Sequence, residues 1–98
     1  MPQKYTIRTT NRFEKDLARC KARGLNMNEI RTAITLLASQ GWLPKEYKPH
    51  KIYGQYEGKW ECHIKDDWLM VWEQNNSQLT LLFTNTGSHR DLFGKTRR

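Results

Sequence analysis

His63 stands four residues before Asp67 in the stretch HIKDDWLMVW, and His89 follows a Thr-Gly pair in TGSHRDLF; with His50 they make up all the histidines of the chain. Imidazole exchanges protons near neutral pH, because its reference pKa is about 6.5. Histidine and carboxylate together suit the cleavage of RNA without a metal. The 2′-hydroxyl attacks the adjacent phosphorus, so a site must take one proton from that hydroxyl and return one to the 5′-oxygen that leaves. It must also stabilise an anionic phosphorane, which asks for a cation.

Other chemistries find less in the sequence. Only His63 and Asp67 are close neighbours, and no HxH, HExxH or cysteine-paired ligand set accompanies them, so neither a metal nor another cofactor is expected. Ser88, His89 and Asp91 could supply the parts of a nucleophilic triad, yet no nucleophile elbow surrounds the serine. There is no glycine-rich phosphate loop. Cys20 and Cys62 lie far apart, without ligand spacing, and read as reduced packing residues.

The charge points to the partner. Seventeen Lys and Arg against ten Asp and Glu give a formal net charge of +7. The basic residues are spread from Arg8 through Lys45, Lys48 and Lys51 to Lys95, Arg97 and Arg98. Such a distribution suits a surface that follows a polyanion backbone, although a merely solvated basic surface would look the same. No apolar run approaches the roughly 20 residues needed to span a bilayer, and MPQKYTIR lacks the apolar core of a signal peptide. A cytoplasmic protein is expected.

Elements must hold these side chains in place. A chain of 98 residues, 37% hydrophobic, reads as one domain over 1–98 with one modest core. Tyr5 to Thr9 alternates as a half-buried edge strand does. Asn11 with Glu14 reads as a helix start, Phe13, Leu17 and Cys20 as its apolar stripe, and Gly24 as its stop. Asn26 and Glu29 repeat the start, with Ile30, Ile34 and Leu37 as the stripe, and Gly41 and Pro44 as the stop.

A proline-containing loop then delivers His50 to a strand around Ile52. In the next strand Trp60, Cys62 and Ile64 form the core face, and Glu61, His63 and Lys65 the polar one. The runs Leu69–Trp72 and Leu79–Phe83 are apolar enough for central strands, joined by a turn at 75–77. With Asp66-Asp67 as a two-residue loop, His63 falls opposite Met70 and shares a face with Trp68 and Trp72; a one-residue slip would reverse that face. The expected architecture is α+β, a small antiparallel sheet packed on an N-terminal helical hairpin, in the order β-α-α-β-β-β with a short C-terminal helical segment.

Three motifs in order carry a resemblance: His50-Lys-Ile-Tyr-Gly54, then Gly58-Lys-Trp-Glu-Cys-His63-Ile-Lys-Asp-Asp67-Trp68, then Thr86-Gly87-Ser-His89-Arg-Asp-Leu-Phe93. Together they resemble the YafQ branch of the RelE/ParE superfamily over most of the chain from His50 to Phe93. The resemblance implies a type II toxin, a ribosome-dependent endoribonuclease that cuts mRNA in the ribosomal A site. It also implies a cognate antitoxin, expected to be acidic. By the same resemblance His50, His63, Asp67, His89 and Phe93 match the family's site. His89 is then the general acid, Asp67 or His50 the general base, His63 the phosphate-orienting group, and Phe93 a residue that stacks on a base.

The chain departs from the family's usual aromatic–Arg pair before Glu61, having Lys59-Trp60 instead. Lys59, Lys65 and Arg90 are therefore all candidates for the cation. Two other readings stand beside this one. A gyrase inhibitor of the ParE branch would keep the fold without the ribonuclease residues, and a non-catalytic RNA-binding module would need only the basic surface.

Overall fold

A computed structural model of the chain describes residues 3–54 and 58–94. The basic tail residues Lys95, Arg97 and Arg98 lie outside the described residues. The elements run in the order β1 (Thr6–Thr9), α1 (Asn11–Ala22), α2 (Met27–Gln40), β2 (His50–Lys51), β3 (Trp60–Lys65), β4 (Trp68–Asn75), β5 (Thr80–Gly87) and α3 (His89–Phe93). A 3-10 turn at Lys45–Tyr47 precedes β2. None of the described helices is long and apolar enough to cross a membrane.

The five strands form one sheet in the order β1-β5-β4-β3-β2. From β2 to β5 the pairing is antiparallel, as expected, but β1 joins the edge parallel to β5, with Thr6 opposite Thr80 and Thr9 opposite Phe83. The sheet is therefore mixed. Parallel partners need a long crossover, and the two helices lie in the chain between β1 and β5. The strand expected around Ile52 is the two-residue β2, with Ile52 just beyond it.

Helix ends follow local chemistry, with one correction. Thr10, not Asn11, caps α1: its backbone is extended and its hydroxyl accepts the Phe13 N–H at 3.0 Å. That hydroxyl also reaches the Thr84 carbonyl at 3.2 Å, so a contact with β5 selects the cap. Glu14 bonds the Thr9 hydroxyl instead. Asn26 caps α2 as expected, and Gly41 ends it in the left-handed conformation. A side chain there would collide with Tyr5, because a Cβ on Gly41 would stand only 2.7 Å from the Tyr5 ring.

The sheet divides the interior in two. On the helix side, Phe13, Cys20, Ile30, Ala33 and Leu37 pack against Cys62, Ile64, Trp68, Met70, Trp72, Leu81 and Phe83. Trp60 is half-buried and stacks on Trp72, with centroids 6.1 Å apart, which bears out its core-side reading. On the other side a smaller cluster joins Ile52, Leu69, Val71 and Leu92, with Phe93 packed against it. Because β4 is buried on both faces, its sequence is a continuous apolar run rather than an alternation.

Register decides which β4 side chains share the face of His63. Lys65 pairs with Trp68 across Asp66-Asp67, the expected two-residue turn, but a bulge between His63 and Lys65 shifts the rest by one. His63 therefore lies opposite Leu69, not Met70. A one-residue shift turns every side chain over. Trp68 and Trp72 thus belong to the helix-side core, and His63 shares the opposite face with Glu61, Leu69 and Val71.

Candidate active site

The face away from α1 and α2 collects all three histidines. β2 pairs with β3 so that His50 lies opposite Glu61, and His63 follows Glu61 by two residues on the same face, about 6.6 Å further along. β5 then runs into α3, whose first residue is His89. Its ring centroid is 5.9 Å from that of His63 and 6.2 Å from that of Phe93. His63 sits between the other two along the sheet.

At one end, His89 and Asp67 form a pair. The His89 ring bonds Asp67 Oδ1 through Nδ1, and the His89 backbone N–H donates to the same oxygen at 3.1 Å. Nδ1 must carry a proton to meet a carboxylate, so Nε2 is the nitrogen turned toward a substrate. Partial burial acts to raise the Asp67 pKa, but the His89 ring and backbone outweigh it and hold the carboxyl below its ordinary value.

At the other end, His50 Nε2 lies 3.0 Å from Glu61 Oε1, and His50 Nδ1 lies 2.8 Å from the Lys48 carbonyl. A carbonyl can only accept, so Nδ1 donates and Nε2 is left facing a carboxylate. The side chain of Glu61 is 1% exposed. Both ring nitrogens of His50 are thus engaged. Between the pairs, His63 Nδ1 donates to the Asp66 carbonyl at 3.2 Å, so in the neutral ring the lone pair falls on Nε2, which has no hydrogen-bond partner among the described residues.

The three candidate cations do not converge. Lys59 Nζ lies 3.4 Å from Glu73, and Lys65 Nζ lies 3.8 Å from Glu29 on α2. Arg90, beside His89 in α3, is exposed and its guanidinium makes no ion pair among the described residues. Phe93 is half-buried between His89 and the small cluster, so packing accounts for part of its position. A groove of about 490 Å³ opens beside Asp67, bounded by Leu25, Lys65, Trp68 and Ser88.

Glu61 was the residue that sequence reading missed. In an alternating strand it reads as a solvated polar position, and only its pairing with His50, which comes from another strand, draws it into the site. Ser88 is not a nucleophile but a cap: its hydroxyl accepts the Asp91 N–H at 3.1 Å, while Asp91 Oδ2 accepts the Ser88 N–H at 2.9 Å. Cys20 and Cys62 are free and buried. Burial pushes the Cys62 thiol well above its ordinary range, which removes it as a nucleophile.

Comparison with known proteins gives this arrangement a family context. A family model described as a bacterial toxin of type II toxin-antitoxin system, YafQ, matches residues 5–94. The mRNA interferase toxin YafQ of Escherichia coli strain K12 is 30% identical over 89 residues, covering 90% of this chain and 95% of that protein. The crystal structure of YafQ from E. coli strain BL21(DE3) superposes with a TM-score of 0.85 at 28% identity, covering 92% of this chain and 99% of its own. YafQ in the crystal structure of the E. coli DinJ-YafQ complex superposes at 0.83 with 30% identity and the same coverage.

Proposed function

The chain belongs to the YafQ family of bacterial type II toxins, whose E. coli member is named an mRNA interferase, and from that membership we propose that it cuts mRNA on the ribosome. The observation that carries the chemistry is the His89–Asp67 pair beside His63 on one sheet face. Asp67 fixes the tautomer and direction of the His89 ring and stabilises its charged form. His89 Nε2–H is then the acid that protonates the departing 5′-oxygen.

The geometry narrows the choice of base. Asp67 is occupied in orienting His89, so it serves as a positioning residue. His50 has both nitrogens committed, Nδ1 to the Lys48 carbonyl and Nε2 to the Glu61 carboxylate, and so offers no free lone pair. His63 already presents a lone pair at Nε2, and it is the better candidate to take the 2′-hydroxyl proton. The 2′-oxygen then bonds phosphorus, the P–O5′ bond breaks, and the products are a 2′,3′-cyclic phosphate and a 5′-hydroxyl. The His50–Glu61 pair and Arg90 flank the phosphorane, with Arg90 the most available of the three candidate cations. Phe93 is suited to stack on a base splayed from the strand.

A chain this small encloses little of an RNA strand, so the ribosomal A site supplies much of the orientation. Basic side chains across the surface hold ribosomal RNA, and an acidic antitoxin silences the toxin by covering that surface, as DinJ accompanies YafQ in the E. coli complex. The test is primer extension on mRNA in programmed ribosomes and on the same mRNA free in solution. New 5′ ends on the ribosome, sparse on naked mRNA, support the proposal. Intact mRNA with altered DNA supercoiling would favour a gyrase inhibitor, and binding without cleavage a passive module.

A further inference from the structure

α3 carries both His89 and Phe93, yet it is only one turn long. Isolated helices shorter than about 12–15 residues are marginal in water, so a five-residue turn is held by what it touches. One hold is apolar: Leu92 is buried on Leu69, Val71 and Ile52. The other is polar and comes from the far side of the sheet, from the end of α1.

Asp91 lies at its centre. Besides closing the capping box with Ser88, its carboxylate receives Arg23 through Nη1 at 2.6 Å and Nη2 at 3.1 Å, a two-pronged contact. Arg19 Nη2 stands 3.8 Å from the same carboxylate and donates to the Thr86 carbonyl at 3.3 Å, tying in the end of β5. Arg19 is itself 3.3 Å from Asp16, a buried carboxylate that accepts the Thr86 N–H at 3.2 Å. The chain makes room for this: a Cβ on Gly87 would come within 2.7 Å of Asp91 Oδ2 and 3.0 Å of Arg19 Nη2.

We propose that Arg23 and Asp91 form a positioning clamp that sets His89 for catalysis, with Arg19 bracing it. Residues two apart on a helix do not face each other, so Asp91 acts on His89 through the helix and not by contact. The Arg23 side chain is 47% exposed, and a half-exposed ion pair adds little to global stability. Its effect is on geometry: it decides where α3 begins, and hence whether the His89 ring and N–H both reach Asp67. The kinetic part of this inference rests on the ribonuclease reading above.

The rival role for Arg23 is a direct contact with RNA phosphate, and the test separates the two. Arg23→Ala, Arg23→Lys, Asp91→Asn and the double variant Arg23→Ala/Asp91→Asn are compared on programmed ribosomes, with the single-turnover rate and the half-saturating toxin concentration measured separately. Hydrogen exchange at the His89 amide is followed in the isolated proteins. A clamp predicts that either single change slows cleavage about tenfold, since a misplacement near 1 Å can cost up to about a hundredfold. Half-saturation should stay put, the double variant should be no slower than the worse single, and Arg23→Lys should recover part of the rate. The His89 amide should exchange faster in the same variants. If Arg23→Ala instead raises the half-saturating concentration while Asp91→Asn cuts at the wild-type rate, the clamp is overturned. Should the wild type make no cuts, the ribonuclease reading falls, and His89 exchange alone decides: faster in the variants supports the clamp, unchanged removes it.

Discussion

Two histidine–carboxylate pairs share one face of the sheet and are built in opposite ways. In the first, both partners meet solvent: the Asp67 side chain is 60% exposed and the His89 ring 48%. In the second, the His50 ring is 45% exposed but the Glu61 side chain only 1%. A carboxylate in contact with water tolerates the loss of its partner, whereas a buried one must keep a compensating group. In the proposed mechanism Asp67 therefore aims a ring that gives and regains protons, whereas Glu61 holds its ring in place.

The largest expected effect breaks the first pair. His89→Ala should slow single-turnover cleavage by about a hundredfold or more, the usual loss for a general acid, with little change in ribosome affinity or in the thermal midpoint. Equal losses in binding and cleavage would remove the assignment. Asp67→Asn keeps an oxygen for the His89 N–H but loses the charge behind the ring. Its cleavage rate should fall by about tenfold, less than for His89→Ala. A loss as large as that of His89→Ala would make Asp67 a proton carrier in its own right.

The second pair should respond in stability first. His50→Ala leaves Glu61 buried without its ring partner and should cost about 1–3 kcal/mol in chemical denaturation. His89→Ala, at an exposed position, should stay within about 0.5 kcal/mol by the same measurement. Similar losses for the two would erase the contrast between the pairs.

The smallest effect concerns acid. The Asp91 carboxyl lies well below its ordinary range, chiefly because Arg23 bonds it, against the opposing effect of burial. Asp67 is lowered too. A depressed folded-state pKa contributes stability that is fully present above the unfolded value of about 3.9 and is lost as pH falls below it. The difference in thermal midpoint between wild type and Asp91→Asn should thus be constant from pH 7 to 5 and shrink below about pH 4. A difference that grows on acidification would reverse the sign and refute the cause.

How much of this was legible in the sequence depends on the range of the interaction. Caps, stops and the two-residue turn at Asp66-Asp67 are local, and apart from the shift from Asn11 to Thr10 they read correctly. The residues His50, His63, Asp67, His89 and Phe93 are visible through their motifs, and the fold gathers all five on one side of the sheet. Which β4 side chains share that face is not visible there. A single bulge between His63 and Lys65 moves Trp68 and Trp72 to the other side, and such a bulge depends on packing across the sheet. The cations illustrate the same limit: Lys59 and Lys65 read as candidates because their partners, Glu73 and Glu29, are distant in the chain. Arg23 and Asp91 are 68 residues apart, and no periodicity joins them.

The most direct test of the account asks whether His89 protonates the leaving group. Replacing the 5′-bridging oxygen of the scissile linkage by sulfur gives a thiolate, which leaves without needing a proton. On this mRNA, in programmed ribosomes, the roughly hundredfold defect of His89→Ala should shrink to a few-fold. The defect of His63→Ala, a change at the proposed base, should persist. An unchanged defect of His89→Ala on the sulfur substrate would contradict the assignment on which the account rests.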